Sequence, residues 1–213
     1  MKMINEWSTK LFSVNNKIKQ KMSLHLILGP MFAGKSTELI RQFNLHKFMG
    51  RQILVVNHSW NQRYNSSSVT THDSSCIEHD HVITTECLHD IYAYPNLEAF
   101  DVILIEELQF FKDAYSVITN LVEAHNKTVI ASGLNGSAER KPMGDVSILI
   151  PFADSTIVLH ALCKKCRDGT PGVFSSRIVI RSDETTDVDV GAADKYEALC
   201  RKHFLQEHPE LLH

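Results

Sequence analysis

The sequence predicts an α/β fold: a parallel sheet flanked by helices, with a phosphate-binding loop at its start and a small metal-bound subdomain at its end. Three observations lead there. Short apolar runs recur at Leu24–Leu28, Ile53–Val56, Val102–Ile105, Thr128–Ala131 and Ser155–Leu162, and such runs suit strands buried on both faces. Segments of helical period alternate with them, as in a doubly wound sheet. A G-x-x-x-x-G-K-[ST] pattern follows the first run, and two pairs of soft metal ligands stand near the end.

Composition sets the frame. A chain of 213 residues, 43% apolar, holds one ordinary α/β domain and an appendage. No run approaches the apolar length of a membrane span, so no membrane partner is expected. The formal charge of −3 gives no basic face for a polyanion, so no nucleic-acid partner is expected either. Cys76, Cys87, Cys163, Cys166 and Cys200 are odd in number and lack the spacing of a disulfide framework. That favours a reducing compartment, the cytoplasm, with thiols or metal. Residues 1–22 hold five lysines and one acid, +4, which leaves −7 for the rest. Ile4, Trp7, Leu11 and Val14 suit a weak amphipathic helix, but a transit peptide would be richer in Arg and Ser. A flexible N-terminal extension is the expectation.

The phosphate loop is Gly29-Pro30-Met31-Phe32-Ala33-Gly34-Lys35-Ser36-Thr37. Before it lies the strand Leu24–Leu28. After it, Leu39, Ile40, Phe43 and Phe48 repeat at helical spacing from Thr37 to Met49. Gly29 and Gly34 let the backbone turn its N–H groups toward one anion, and the helix N-terminus adds its dipole. Lys35 would reach the β- and γ-phosphates, and the Ser36 hydroxyl would ligate magnesium. A glycine turn before a surface helix is the plainer reading, and agreement of both flanks speaks against it.

After the strand Ile53–Val56, residues 58–75 form a long polar stretch that contains Arg63 and Tyr64, a length that usually marks function or disorder. Residues 86–94 read as a short helix ended by Pro95. The strand at 101–105 runs straight into Glu106-Glu107-Leu108-Gln109. An apolar strand that ends in acids is what a phosphate-loop enzyme sets beside magnesium. Neighbouring residues on a strand point to opposite faces, so only one of the two acids aims at the reaction unless the strand has broken. A helix at 113–125 and a strand at 128–131 follow, then the loop Gly133–Gly136. Arg140 and Lys141 beyond it would touch phosphate or be solvated, and both readings stay open.

The last fifty residues change character. Cys163 and Cys166 form a C-x-x-C pair and Cys200 and His203 a C-x-x-H pair, which suits a closed tetrahedral zinc site of structural type. Val173-Phe174 and Arg177–Ile180 read as a hairpin, and Tyr196 to Phe204 as a helix. A redox C-x-x-C is the rival, and the second ligand pair argues against it. The core here is thin, and zinc would staple it.

Taken in order, GPMFAGKST, RY…SS…THD, EELQFF, TVIASGLNG, ERKPMG, CKKC and VGAADKYEALCRKH closely resemble the thymidine kinases of the cytosolic and viral type, over about residues 23–204. The resemblance implies a P-loop kinase domain at 23–162, a zinc-bound lasso subdomain at 163–204 and a tail at 205–213. It implies transfer of the γ-phosphate of ATP, with magnesium, to the 5′-hydroxyl of thymidine in nucleotide salvage. It implies a homotetramer, with dTTP as feedback inhibitor. Gly29 through Thr37 would hold the donor phosphates together with Arg63, Glu106 and Gln109. Glu107 matches the catalytic carboxylate that takes the proton of the 5′-hydroxyl. Met31, Phe110 and Tyr196 match positions around the thymine ring. The lasso backbone at Asp187, Val188, Asp189, Val190, Gly191 and Ala192 would meet the base edge, and Cys163, Cys166, Cys200 and His203 match the zinc ligands.

Some positions depart from the family pattern. Glu106 stands where Asp is usual, Leu108 where a small residue is preferred, Ala138 in place of a common aromatic, and Ala192 in place of a glycine. Deoxyuridine is therefore a second acceptor to consider. The alternatives are another P-loop nucleoside or nucleotide kinase, which would carry a lid and acceptor-phosphate arginines, and a non-catalytic nucleotide-binding zinc module.

Overall fold

The computed structural model describes residues 22–60, 68–70, 76–178 and 195–211. Six strands form one sheet: β1 (Ser23–Gly29), β2 (Ile53–His58), β5 (Val82–Thr85), β6 (Val102–Ile105), β7 (Thr128–Leu134) and β8 (Ser155–Val158). They lie in the order β5-β2-β6-β7-β1-β8, every pair parallel. Two short strands pair with each other: β3 (Ser68–Thr70) lies inside the stretch read as one loop, and β4 (Cys76–Glu78) begins just past its end.

Period-two alternation divides each strand between two cores. Leu24, Leu26, Leu28, Leu54, Val56, Ile103, Ile105, Val129 and Ala131 join one cluster, with Val117, Ile118 and Leu121 of helix α2 (Ala114–Glu123). Ile27, Ile53, Val55, Val102, Leu104 and Ile130 join the other, with Leu39 and Phe43 of helix α1 (Lys35–Phe48). A helix therefore covers each face. In a parallel sheet all C-terminal strand ends share one rim, and the phosphate loop and the two acids stand there. Helix α1 starts at Lys35, two residues earlier than its apolar spacing suggests. Residues 88–93 form a 3-10 turn in place of a short α-helix. Among the described residues no helix is long and apolar enough to cross a membrane.

The C-terminal region departs furthest from expectation. The strand expected at 155–162 stops at Val158, and β9 (Ala161–Leu162) pairs instead with β10 (Pro171–Gly172). Residues 196–199, expected as helix, form the strand β12 (Tyr196–Leu199). It pairs antiparallel with β11 (Phe174–Arg177), so Phe174 and Arg177 lie in one strand and not across a hairpin. The spacing of Tyr196, Leu199 and His203 mimics a helical face, and tertiary pairing overrides it. Helix α4 (Arg201–Glu207) begins only after Cys200, and a 3-10 turn at Pro209–Leu211 follows it. A further short helix, α3 (Val146–Leu149), lies in the sheet domain between β7 and β8.

Candidate active site

The loop after β1 has the backbone its glycines foretell. A Cβ on Gly29 would lie 2.4 Å from the Leu159 carbonyl oxygen, so only glycine fits there. Gly34 is left-handed at φ 80 and caps α1, and Phe32 is left-handed at φ 64. Lys35 Nζ donates to the Pro30 carbonyl at 2.8 Å, which holds the ammonium across the loop. Pro30 through Thr37 thus make one turn into a helix N-terminus, the form that cradles phosphate oxygens.

The two acids are separated by their backbone. Strand β6 ends at Ile105, and Glu106, 1% exposed, still bonds through its N–H to Val56. Glu107 then turns left-handed, φ 56 and ψ 44, and caps a 3-10 turn over Leu108–Phe110. The strand has broken, so the two side chains are not bound by strand alternation. Gln109, buried, spans the gap behind Glu107. Its Nε2 donates to Glu107 Oε2 at 2.6 Å, and its Oε1 accepts the Leu134 N–H at 2.9 Å. Leu134 in turn is the register partner of Gly29, so carboxylate, amide, strand end and phosphate loop form one continuous chain of contacts. A Cβ on Gly133 would come 3.0 Å from Gln109 Oε1, and one on Gly144 2.6 Å from the Gln109 carbonyl oxygen. Both glycines are needed for the Gln109 clamp. Leu108 is fully buried in the larger core, beside Gly133, so the unusual residue there is a packing choice.

Aromatic rings occupy the rim beside Glu107. Phe110 packs against His58 at 5.5 Å and against Trp60 at 5.8 Å between ring centroids. Burial pushes the His58 pKa down, and the nearby charges of Glu86 and Glu107 oppose that shift in part. Tyr196 lies on β12 with its hydroxyl accepting from Arg177 at 3.3 Å. Met31 donates its N–H to Ser175 Oγ on β11 at 2.9 Å, so the phosphate loop is tied to the small subdomain. Arg63 and Asp187 through Ala192 lie outside the described residues.

Cys163, Cys166, Cys200 and His203 come together, with their ligand atoms within 4.8 Å of one another. His203 Nδ1 is 3.5, 3.3 and 3.4 Å from the sulfurs of Cys163, Cys166 and Cys200, and Cys166 and Cys200 sulfurs are 3.7 Å apart. A tetrahedral zinc with ordinary bond lengths sets S···S edges at about 3.8 Å and S···N edges at about 3.6 Å. The four residues fit that ion. Burial alone would raise the Cys163 thiol, yet N–H groups of Cys200, Cys166 and Lys165 and the His203 ring hold it at about 6. Cys166 goes to about 11 through burial and its neighbouring thiols. Thiols this close ionise together only around a cation.

Two contacts had no signal in the sequence. Ser175, at what reads as a hairpin turn, lies within β11 and accepts from Met31. Arg140 packs on the small subdomain: its guanidinium lies 5.2 Å from the Phe204 ring centroid and bonds the Leu211 carbonyl at 2.9 Å. A cation beside an aromatic of the small subdomain, from a loop of the sheet domain, is a clamp.

Comparison with known proteins agrees with this geometry. The thymidine kinase family profile matches residues 22–204. A thymidine kinase of Myxoma virus (strain Uriarra) is 38% identical over 84% of this chain and 94% of its own length. Thymidine kinase a of Arabidopsis thaliana is 36% identical over 87% of this chain and 76% of its own. The cytosolic thymidine kinase of Homo sapiens is 36% identical over 86% of this chain and 73% of its own. With the family profile spanning both the sheet domain and the Cys3His cluster, the chain belongs to the thymidine kinase family.

Proposed function

We propose that Glu107, positioned by Gln109, is the general base of an ATP-dependent thymidine kinase whose donor site is the loop at Gly29–Thr37. The observation that carries this reading is the contact chain from Glu107 through Gln109 and Leu134 to Gly29. Strands β6 and β1 are separated by β7 alone, so the acid and the loop stand about 10 Å apart across the rim, at ordinary strand spacing. That span accommodates the end of a triphosphate and a sugar 5′-carbon.

In the reaction, the thymidine 5′-oxygen forms a bond to the γ-phosphorus as the bond to the β,γ-bridging oxygen breaks. ADP leaves, and the hydroxyl proton passes to Glu107. Gln109 occupies Oε2, so Oε1 is the oxygen that receives the proton. The Lys35 ammonium neutralises charge on the transferring phosphoryl group, and most of the rate comes from this positioning and neutralisation. Magnesium bound with ATP would supply further neutralisation of phosphate oxygens, and Ser36, Thr37 and Glu106 would hold it. Phe110, Met31 and Tyr196, with Asp187–Ala192, would hold the base, and Arg63 the phosphates. Zinc at Cys163, Cys166, Cys200 and His203 is structural, because four protein ligands leave no open position.

Family resemblance is the support for a homotetramer and for feedback inhibition by dTTP, and the word cytosolic in the human relative's name supports that location. The test is direct. Purified protein with ATP, magnesium and a panel of nucleosides and nucleotides should convert thymidine to dTMP, with deoxyuridine as the second acceptor. Phosphorylation of a monophosphate in place of a nucleoside, or ATP binding without product, would contradict it.

A further inference from the structure

We infer that Trp60, locked against Phe110 by His58, is a specificity-determining residue on the acceptor side of the site. This rests on the reading above that the nucleoside lies beside Glu107 and Phe110.

Trp60 is 44% exposed. It is nonetheless held on two sides. Its backbone N–H donates to His58 Nδ1 at 3.1 Å, and its ring meets the His58 ring edge-on at 5.5 Å and the Phe110 ring at 5.8 Å. His58 is 3% exposed and wedged 4.7 Å from Phe111, so it is a fixed post and not a surface side chain. Because Nδ1 accepts the Trp60 N–H, the imidazole that holds this geometry is neutral.

Position completes the case. Val56 of β2 is the register partner of Ile105 of β6. His58 ends β2, and its ring lies 5.5 Å from that of Phe110, which closes the 3-10 turn that Glu107 caps, so the post stands beside the base. Trp60 then follows at the rim, on the side of Glu107 away from the phosphate loop, since β2 flanks β6 and β1 lies beyond β7. An aromatic pair there, one ring half-buried and the other exposed, presents an apolar surface to whatever approaches Glu107 from that side. The chemistry that matches is the flat apolar face of a deoxynucleoside. A triphosphate does not fit it.

Trp7 and Trp60 are the only tryptophans in the chain, which permits an optical test. In a Trp7→Phe background all tryptophan emission comes from Trp60. Thymidine without ATP should change that emission saturably, and ATP without thymidine should leave it unaltered. In steady state, Trp60→Ala should raise the thymidine KM about tenfold, the scale of one base–aromatic contact. The kcat and the ATP KM should stay within about twofold, and Trp60→Phe should recover most of the affinity. If thymidine is phosphorylated but Trp60 emission ignores it and Trp60→Ala has an unchanged thymidine KM, this inference is wrong and the kinase assignment stands. If the unaltered protein does not phosphorylate thymidine, both fall.

Discussion

The sheet domain and the C-terminal subdomain are held together by different physics. Both faces of the six-stranded sheet are covered by buried aliphatic and aromatic side chains, enough to fold by burial alone. Among the described residues, the subdomain's hydrophobic cluster has three buried members, Cys163, Leu199 and Phe204, and one of them belongs to the Cys3His cluster. What it lacks in core it replaces with a Cys3His cluster that could hold zinc and with ties to the larger domain: Arg140 on Phe204 and Leu211, and Met31 on Ser175. On the proposed reading, the donor phosphates would belong to the part that stands by itself, and Tyr196, with its share of the acceptor pocket, to the part that does not. Loss of nucleoside binding should therefore precede loss of ATP binding whenever the molecule is stressed.

The largest break in that comparison comes from removing metal. Metal binding in small closed sites supplies on the order of 10 kcal/mol of folding free energy, more than a three-residue core replaces. A strong chelator should expose the thiols of residues 163–203 and abolish nucleoside binding while the far-ultraviolet signal and melting of the sheet persist. Analysis should find about one zinc per chain beforehand. A chelated protein that keeps its thymidine affinity would erase the distinction between the regions.

Lys35→Ala attacks the other side. On the proposed reading its role is charge on phosphate, so the melting transition should stay in place while turnover falls by ~3 kcal/mol or more of transition-state stabilisation. Near-normal turnover would overturn the donor-site reading. Arg140→Ala is subtler. Loss of one cation–π contact and one hydrogen bond should cost about 1–2 kcal/mol of subdomain docking. Limited proteolysis in the C-terminal region should quicken with little change in the ATP KM.

The smallest effect is in pH. Burial holds the folded His58 pKa below its ordinary value of 6.5, so below that pH the unfolded chain binds a proton that the folded chain refuses. Stability should fall as pH drops below about 6.5 and stay flat above it as far as this group is concerned. His58→Phe should flatten part of the slope in urea melts taken between pH 5 and 7.

The comparison also separates what was legible in the sequence from what was not. Gly29 through Thr37 could be read because the motif dictates its own backbone, and the central strands because burial on both faces leaves unbroken apolar runs. The Cys3His cluster could be read from spacing alone. The left-handed turn at Glu107 could not. No glycine announces it, and Gln109 fixes it by reaching Leu134, 25 residues on. Ser175 meets Met31 across 144 residues, and Arg140 meets Leu211 across 71. Where the chain is held by partners this remote, local pattern misleads, and Tyr196–Leu199 was read as helix for that reason.

The central claim is that Glu107 takes the proton. Glu107→Gln keeps the shape and can still bond Gln109 if that amide turns over, but it cannot accept a proton. The decisive measurement is kcat for thymidine phosphorylation by this variant at saturating ATP and magnesium, with thymidine affinity measured alongside. A fall of roughly 10²–10⁴-fold in kcat with affinity retained is the expected result. A kcat within a few-fold of the unaltered enzyme would show that the base is another group.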